Sequence, residues 1–214
     1  MRRNFCIALV LGALCCGASR ADIVFIEGVS NTGTDNVLFN ELTDIIGPAP
    51  TVQGHIHNLG SNVSVTSDEN LIVNNSGGGQ ATISAVTSGF TVAEIYLTNP
   101  PGGTYGKIVF ALSGFGTGQA SRVPFTIFVT EGDGSTDSQS FTTGGGDTFY
   151  TVIALNGQDI RNVRLQTMDG SQFDTLKQLR IGPAEAAVPD GGVTAMLLGA
   201  ALVGLETLRR RFRA

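Results

Sequence analysis

Between residues 22 and 188 of this 214-residue chain no stretch sustains an apolar period of 3.6 residues; short runs rich in Val, Ile, Thr and Phe are instead punctuated by Gly, Asn, Asp and Pro. Such a pattern suits antiparallel β-structure. The runs predict strands over Ile23–Val29, Asn36–Glu41, Val52–His57, Asn62–Thr66, Asn70–Asn74, Ala81–Val86, Thr91–Thr98, Gly106–Ser113, Pro124–Thr130, Ser138–Thr142, Thr148–Leu155, Asn162–Gln166 and Leu176–Ile181. Alternation tells which face is dry: Ile95 and Leu97 oppose Glu94, Tyr96 and Thr98, while Val163 and Leu165 oppose Arg164 and Gln166. A strand wetted on one side needs a second layer on the other. The expected architecture is therefore an all-β, antiparallel β-sandwich of jelly-roll type, with a β-helix as the alternative. The connections Ser76–Gly79, Asn99–Gly103 and Thr143–Asp147 and the pair Asn156-Gly157 supply the positive φ angles of tight reversals.

The two ends read differently. Arg2 and Arg3 precede an apolar core from Ile7 to Cys16, and Ser19-Arg20-Ala21 places small residues at the −3 and −1 positions of a cleavage site. Residues 1–21 are expected to be a signal peptide cleaved after Ala21, with Ala18 as the alternative site. Cys6, Cys15 and Cys16, the only cysteines, all fall inside that leader, and the residues before Cys15 and Cys16 do not form the Leu-small-small-Cys pattern of a lipoprotein signal. The processed protein then has no thiol for a disulfide, a nucleophile or a metal.

At the other end, Val188-Pro189-Asp190-Gly191-Gly192 gives way to an apolar segment, Val193 to Leu208, closed by Arg209, Arg210, Arg211, Phe212 and Arg213. Sixteen helical residues span about 24 Å, short of a hydrocarbon core of about 30 Å. The four arginines snorkel to the headgroups and hold the C-terminus in the cytoplasm, which turns residues 22–187 outward. Glu206, near the end of the apolar run, lies within i+3 and i+4 reach of Arg209 and Arg210. This order of motif, apolar helix and basic cluster resembles the C-terminal sorting signal of the bacterial PEP-CTERM family in its Val-Pro-Asp-Ser-Gly variant, with Gly191 where the variant carries Ser. The segment Phe173 to Gly182 looks like the closing strand that precedes the tail in ectodomains of that family. The resemblance implies export by the general secretory route, transient anchoring in the inner membrane, and cleavage near Val188–Gly192 by an exosortase. It further implies association with extracellular polysaccharide or the outer cell surface of Gram-negative bacteria. A plain C-terminal anchor is the alternative reading of the tail.

Residues 22–187 are long enough for one domain and show no dividing linker. With both ends set aside, they hold six basic and sixteen acidic residues, a formal charge of −10 against −5 for the whole chain. So acidic a body repels phosphate backbones and excludes nucleic acid as a partner.

Three constellations bear on chemistry. In Glu131-Gly132-Asp133-Gly134-Ser135-Thr136-Asp137, hard carboxylates alternate with glycine, so Glu131, Asp133 and Asp137 are candidate Ca²⁺ ligands; an Asp-Gly hairpin turn explains the same residues. His55 and His57, two apart on an expected strand, share a face and are either a metal pair or simply exposed. Gly114-Phe115-Gly116-Thr117-Gly118 has the texture of a phosphate loop, but with no βαβ pattern after it a loop without phosphate is expected.

No Gly-x-Ser-x-Gly elbow and no ordered Asp, His and Ser set is present, so the domain is not expected to be an enzyme. A pair of glycosidase carboxylates is defined in space and leaves a hydrolase as the third choice. Trp is absent, which leaves Tyr96, Tyr105 and Tyr150 as amphipathic aromatics for a sugar face, and the twelve Phe are assigned to the core. The expected function is that of an exported, non-catalytic cell-surface or matrix protein processed by an exosortase. The alternative is an extracellular carbohydrate-binding module, with or without calcium.

Overall fold

The computed structural model describes residues 23–74, 81–116 and 121–183. The expected leader, the Ser76–Gly79 connection, the sorting motif, the apolar tail and its arginines lie outside the described residues. Among the described residues no helix is long and apolar enough to cross a membrane. They form twelve strands: β1 (Ile23–Glu27), β2 (Asp35–Leu38), β3 (Ala49–Ile56), β4 (Asn62–Asn74), β5 (Thr82–Ala85), β6 (Val92–Asn99), β7 (Lys107–Gly114), β8 (Pro124–Glu131), β9 (Thr136–Thr142), β10 (Thr148–Ala154), β11 (Ile160–Thr167) and β12 (Phe173–Gly182). The fold is all-β and its strand pairings are antiparallel.

Hydrogen bonding follows the path β1-β10-β7-β12-β2-β3-β4-β6-β11-β8-β9, with β5 joining β12 to β4. The path has two arms, β1-β10-β7-β12 and β3-β4-β6-β11-β8-β9. From β6 onward the chain crosses repeatedly between them: β7, β10 and β12 lie in the first arm, and β6, the β8–β9 hairpin and β11 in the second. Asn156 and Gly157 do take positive φ, 57° and 79°, but the turn they make leads from one arm to the other rather than between paired strands.

Dry faces of the arms meet through rings. Phe125 on β8 lies 5.1 Å from Tyr150 on β10 and 5.3 Å from Phe173 on β12, edge to face in both cases. None of those strands is hydrogen-bonded to β8, so these contacts are packing between arms and not neighbours within a sheet. Around them Val52, Val63, Val65, Ile95, Ile127, Val129, Val163 and Leu165 from the second arm, with Ile108, Phe110, Leu112 and Val152 from the first, are buried in a single core.

Asn62–Thr66 and Asn70–Asn74, expected as separate strands, are the two ends of β4. Its first half pairs with β3 and β6, and Leu71 to Asn74 pair with β5. The polar stretch between them, left outside both expected strands, is the place where the strand changes partners. Asp68 holds that place, accepting hydrogen bonds from the Thr91 amide and hydroxyl and from the Val92 amide at the start of β6.

Partial burial acts to raise the Asp68 pKa, and the hydrogen bonds from Thr91, Val92 and Ser67 outweigh it, so the carboxyl titrates below its ordinary 3.8. A group lowered in the folded state contributes stability above its unfolded value, and that stability is lost as pH falls through the folded value. Asp68→Asn should cost on the order of 1 kcal/mol near pH 7, a charge-assisted contribution discounted for solvent exposure. Denaturant titration should find that gap closing below about pH 4, the unfolded carboxylate range. A gap that stays constant into acid would mean that shape, not charge, makes the contact.

Candidate functional site

The outward face of the second arm is built by register. One line of residues crosses six strands: Gln53 opposite Ser64, Ser64 opposite Tyr96, Tyr96 opposite Asn162, Asn162 opposite Thr130, Thr130 opposite Thr136. The next line on the same face runs Thr51, Thr66, Glu94, Arg164, Phe128, Ser138. At about 4.8 Å per strand each line is roughly 24 Å long. Ile95, Leu97, Val163, Leu165, Ile127 and Val129, the intervening residues, all point into the core.

This face is hollowed. One depression of about 340 Å³ is lined by Tyr96, Leu97, Thr130, Arg161, Asn162 and the glycines Gly102 and Gly103. A second, of about 320 Å³, is lined by Glu94, Phe128, Thr130, Asn162, Arg164 and Gln166. They share Thr130 and Asn162 and neighbour each other across β6, β11 and β8; the two are together termed the groove.

Several of its side chains are already held. The Tyr96 hydroxyl is 3.3 Å from Thr66 Oγ1, which is 2.9 Å from Thr51 Oγ1, so a chain of hydroxyls fixes the ring. Arg164 Nε stands 3.7 Å from Glu94 Oε1 with both side chains more than a third exposed, a geometry of little energetic weight. Two groups are not held. Arg161 has no hydrogen-bond or ion-pair partner among the described residues, and its Nη2 lies 3.8 Å from where a Cβ on Gly102 would stand. Asn162 Oδ1 is buried with no hydrogen-bond partner among the described residues, at a cost of about 1–3 kcal/mol.

Only one of the three tyrosines serves this face. Tyr105 and Tyr150 are core residues whose hydroxyls donate to the carbonyls of Ile95 and Thr142. Burial pushes both phenols up, with the Glu27 charge adding to the effect on Tyr150. Among the described residues the assignment of phenylalanine to the core fails at Phe128, 40% exposed in the groove, and at Phe115, 47% exposed on a loop.

The residues expected to bind metal are placed as follows. Glu131 and Asp133 meet on one hydroxyl, Ser135 Oγ lying 2.7 Å from Glu131 Oε1 and 2.6 Å from Asp133 Oδ1, with its single proton shared between them. The Ser135 hydroxyl and amide hold the Asp133 carboxyl below its usual range. Asp137 stands beyond the turn on β9, opposite Val129. Gly134 takes φ 90° and the Glu131 amide donates to the Ser135 carbonyl, so the loop has the geometry of the hairpin-turn reading. Among the described residues no group of three or more His, Cys, Asp or Glu side chains is arranged to hold a metal ion.

His55 and His57 do not form a pair on one strand, because β3 ends at Ile56 and His57 sits in the following turn. His55 has partners that its neighbours in sequence do not suggest. The connection from β2 to β3 brings Asp44 to its Nδ1 at 3.2 Å and Glu41 to its Nε2 at 3.3 Å. The same connection is tied to Gln53 by two backbone hydrogen bonds from Ile45, and its Ile46 carbonyl accepts from the Val73 amide. The glycine loop after β7 also has a packing cause: a Cβ on Gly114 would lie 2.0 Å from the Ser121 carbonyl oxygen. Thr117 and Gly118 of that loop lie outside the described residues.

Reading from sequence missed Arg161, Asn162 and Phe128. For Phe128 a signal existed, since Phe125, Ile127 and Val129 claim one parity of the strand and leave Thr126, Phe128 and Thr130 on the other. Arg161 and Asn162 acquire meaning only from the strands beside them. No family model, no curated protein and no solved structure matches this chain.

Proposed function

We propose that the chain is an exported, non-catalytic cell-surface or extracellular-matrix protein. Residues 1–21 direct it to secretion and 188–214 anchor it transiently until an exosortase-type enzyme cuts near Val188–Gly192. The domain between them is, in this reading, a jelly-roll-like β-sandwich facing outward. The observation that carries it is the order of Val188-Pro189-Asp190, apolar segment and four arginines at one end, opposite a leader-like segment at the other. Strand β1 starts at Ile23, just after the proposed cleavage at Ala21, and β12 ends at Gly182, just before Val188, so both proposed cuts fall outside the described strands.

Replacing Pro189 and Asp190 with Ala should leave the apolar helix inserted and abolish release, so that protein of full tail length accumulates in the membrane. Neutralising Arg209, Arg210, Arg211 and Arg213 should instead disturb anchoring or orientation. Mass spectrometry of released and membrane fractions reads both. Released protein ending at Ala214, with no dependence on Pro189 or Asp190, would leave a plain anchor and end the sorting proposal.

A second reading, an extracellular carbohydrate-binding module, is favoured by the groove, where Tyr96 offers a ring held by Thr66 beside the polar side chains of Thr130, Asn162 and Arg161.

A further inference from the structure

We propose that the groove across β6, β11 and β8 binds a strand of acidic, uronate-containing polysaccharide, with Arg161 taking a sugar carboxylate, Tyr96 stacking on a pyranose face and Asn162 bonding a hydroxyl. The proposal rests on the carbohydrate-binding reading and narrows it from sugars in general to sugars carrying a carboxylate.

Charge is the first argument. Residues 22–187 contain only Lys107, Arg122, Arg161, Arg164, Lys177 and Arg180 as bases, against sixteen acids. Lys107 is engaged by Ser30 and Thr32, and Lys177 by Asp147. Two of the remaining four, Arg161 and Arg164, line the groove, whose one carboxylate, Glu94, is already beside Arg164. A guanidinium presents a planar fork that matches a carboxylate with two parallel hydrogen bonds, and the fork of Arg161 is unused. A body this acidic repels polyanions in bulk, so an acidic chain is held only where such a local exception exists.

Shape is the second. The two depressions share Thr130 and Asn162 in their linings and so neighbour each other on one face, which suits a segment of a long chain lying across the strands. At one end Arg161 stands over Gly102, and neither Gly102 nor the adjoining Gly103 carries a side chain to cover it. In the middle Asn162 has no hydrogen bond to lose, so turning its amide toward a sugar hydroxyl satisfies an acceptor that is orphaned in the free protein.

Full-length protein in detergent micelles, titrated calorimetrically with hexamers of galacturonate, mannuronate, guluronate and glucuronate and with their carboxyl-reduced counterparts, tests this. At least one uronate should bind, and its reduced counterpart about tenfold or more weakly, the worth of a charge-assisted contact. Arg161→Gln should remove that advantage, leave binding of the reduced hexamer unchanged and leave the melting temperature where it was, since the side chain is exposed. Tyr96→Ala should weaken both ligands. Arg122→Gln, at an exposed arginine not lining the groove, should change nothing. Equal affinity for acidic and reduced hexamers would overturn the acidic class while leaving the carbohydrate reading standing. No binding to any hexamer would overturn both, and equal losses from Arg122→Gln and Arg161→Gln would show diffuse attraction and overturn the site.

Discussion

Phe125→Ala should destabilise the domain by about 3–5 kcal/mol, the cost of emptying a ring-sized site in a packed core. Phe125 is fully buried and meets Tyr150 at 5.1 Å, Phe173 at 5.3 Å and Phe141 at 6.0 Å. Two of those rings belong to the opposite arm, so the truncation opens a cavity between arms rather than within one. Each favourable ring pair is worth roughly 0.5–1.5 kcal/mol beyond the area it buries, and three are lost together. At roughly 2–4 °C per kcal/mol for a domain of this size, the melting temperature should fall by about 6–20 °C. Phe128→Ala, three residues along the same strand but on the groove face, should cost no more than about 1 kcal/mol because its ring is 40% exposed. Thermal unfolding of the two variants side by side is the measurement. Similar losses would mean that the two faces of β8 are not what the register makes them.

That contrast also marks what could be read from sequence. Period-2 alternation depends only on the pleat, so the buried parity of Ile95 and Leu97, and of Val163 and Leu165, was legible from one segment at a time. So was the all-β class, because no run between residues 22 and 188 carries the helical period. Pairing depends on segments far apart. Asn156-Gly157 has the chemistry of a hairpin, and its positive φ angles are present, yet β10 and β11 part to different arms because each finds its partners elsewhere. Ser67, Asp68 and Glu69 fall between two expected strands, and only the amides of Thr91 and Val92 reveal that Asp68 is a fixed point inside one long strand. The groove suffered most from this limit. Tyr96 was identifiable as a polar-tipped ring, but three tyrosines looked alike until Tyr105 and Tyr150 went into the core. Asn162 and Arg161 gain their roles from Tyr96, Thr130 and Gly102, which lie on other segments of the chain.

Gly47→Ala should be the most damaging exchange of a single hydrogen for a methyl group, costing more than about 4 kcal/mol, beyond the range of ordinary point substitutions. Two separate penalties meet there. Gly47 has φ 86°, a region that costs an L-residue roughly 1–2 kcal/mol. A Cβ at this position would also stand 2.1 Å from the carbonyl oxygen of Leu71. That oxygen belongs to the backbone of β4 where it turns to pair with β5, so it cannot swing aside as a side chain would. Relief has to come from lifting the connection between β2 and β3, which breaks the hydrogen bond from Val73 to the Ile46 carbonyl and loosens the seat of Asp44 and Glu41 around His55. Gly33 separates the penalties, because it has φ 72° but open space where its Cβ would be, so Gly33→Ala should cost only the backbone share of about 1–2 kcal/mol. Chemical denaturation of both variants decides between the contributions. If they lose the same stability, the close approach to Leu71 is relieved without cost and the connection is not clamped to β4; if Gly47→Ala loses several times more, the clamp is what requires glycine.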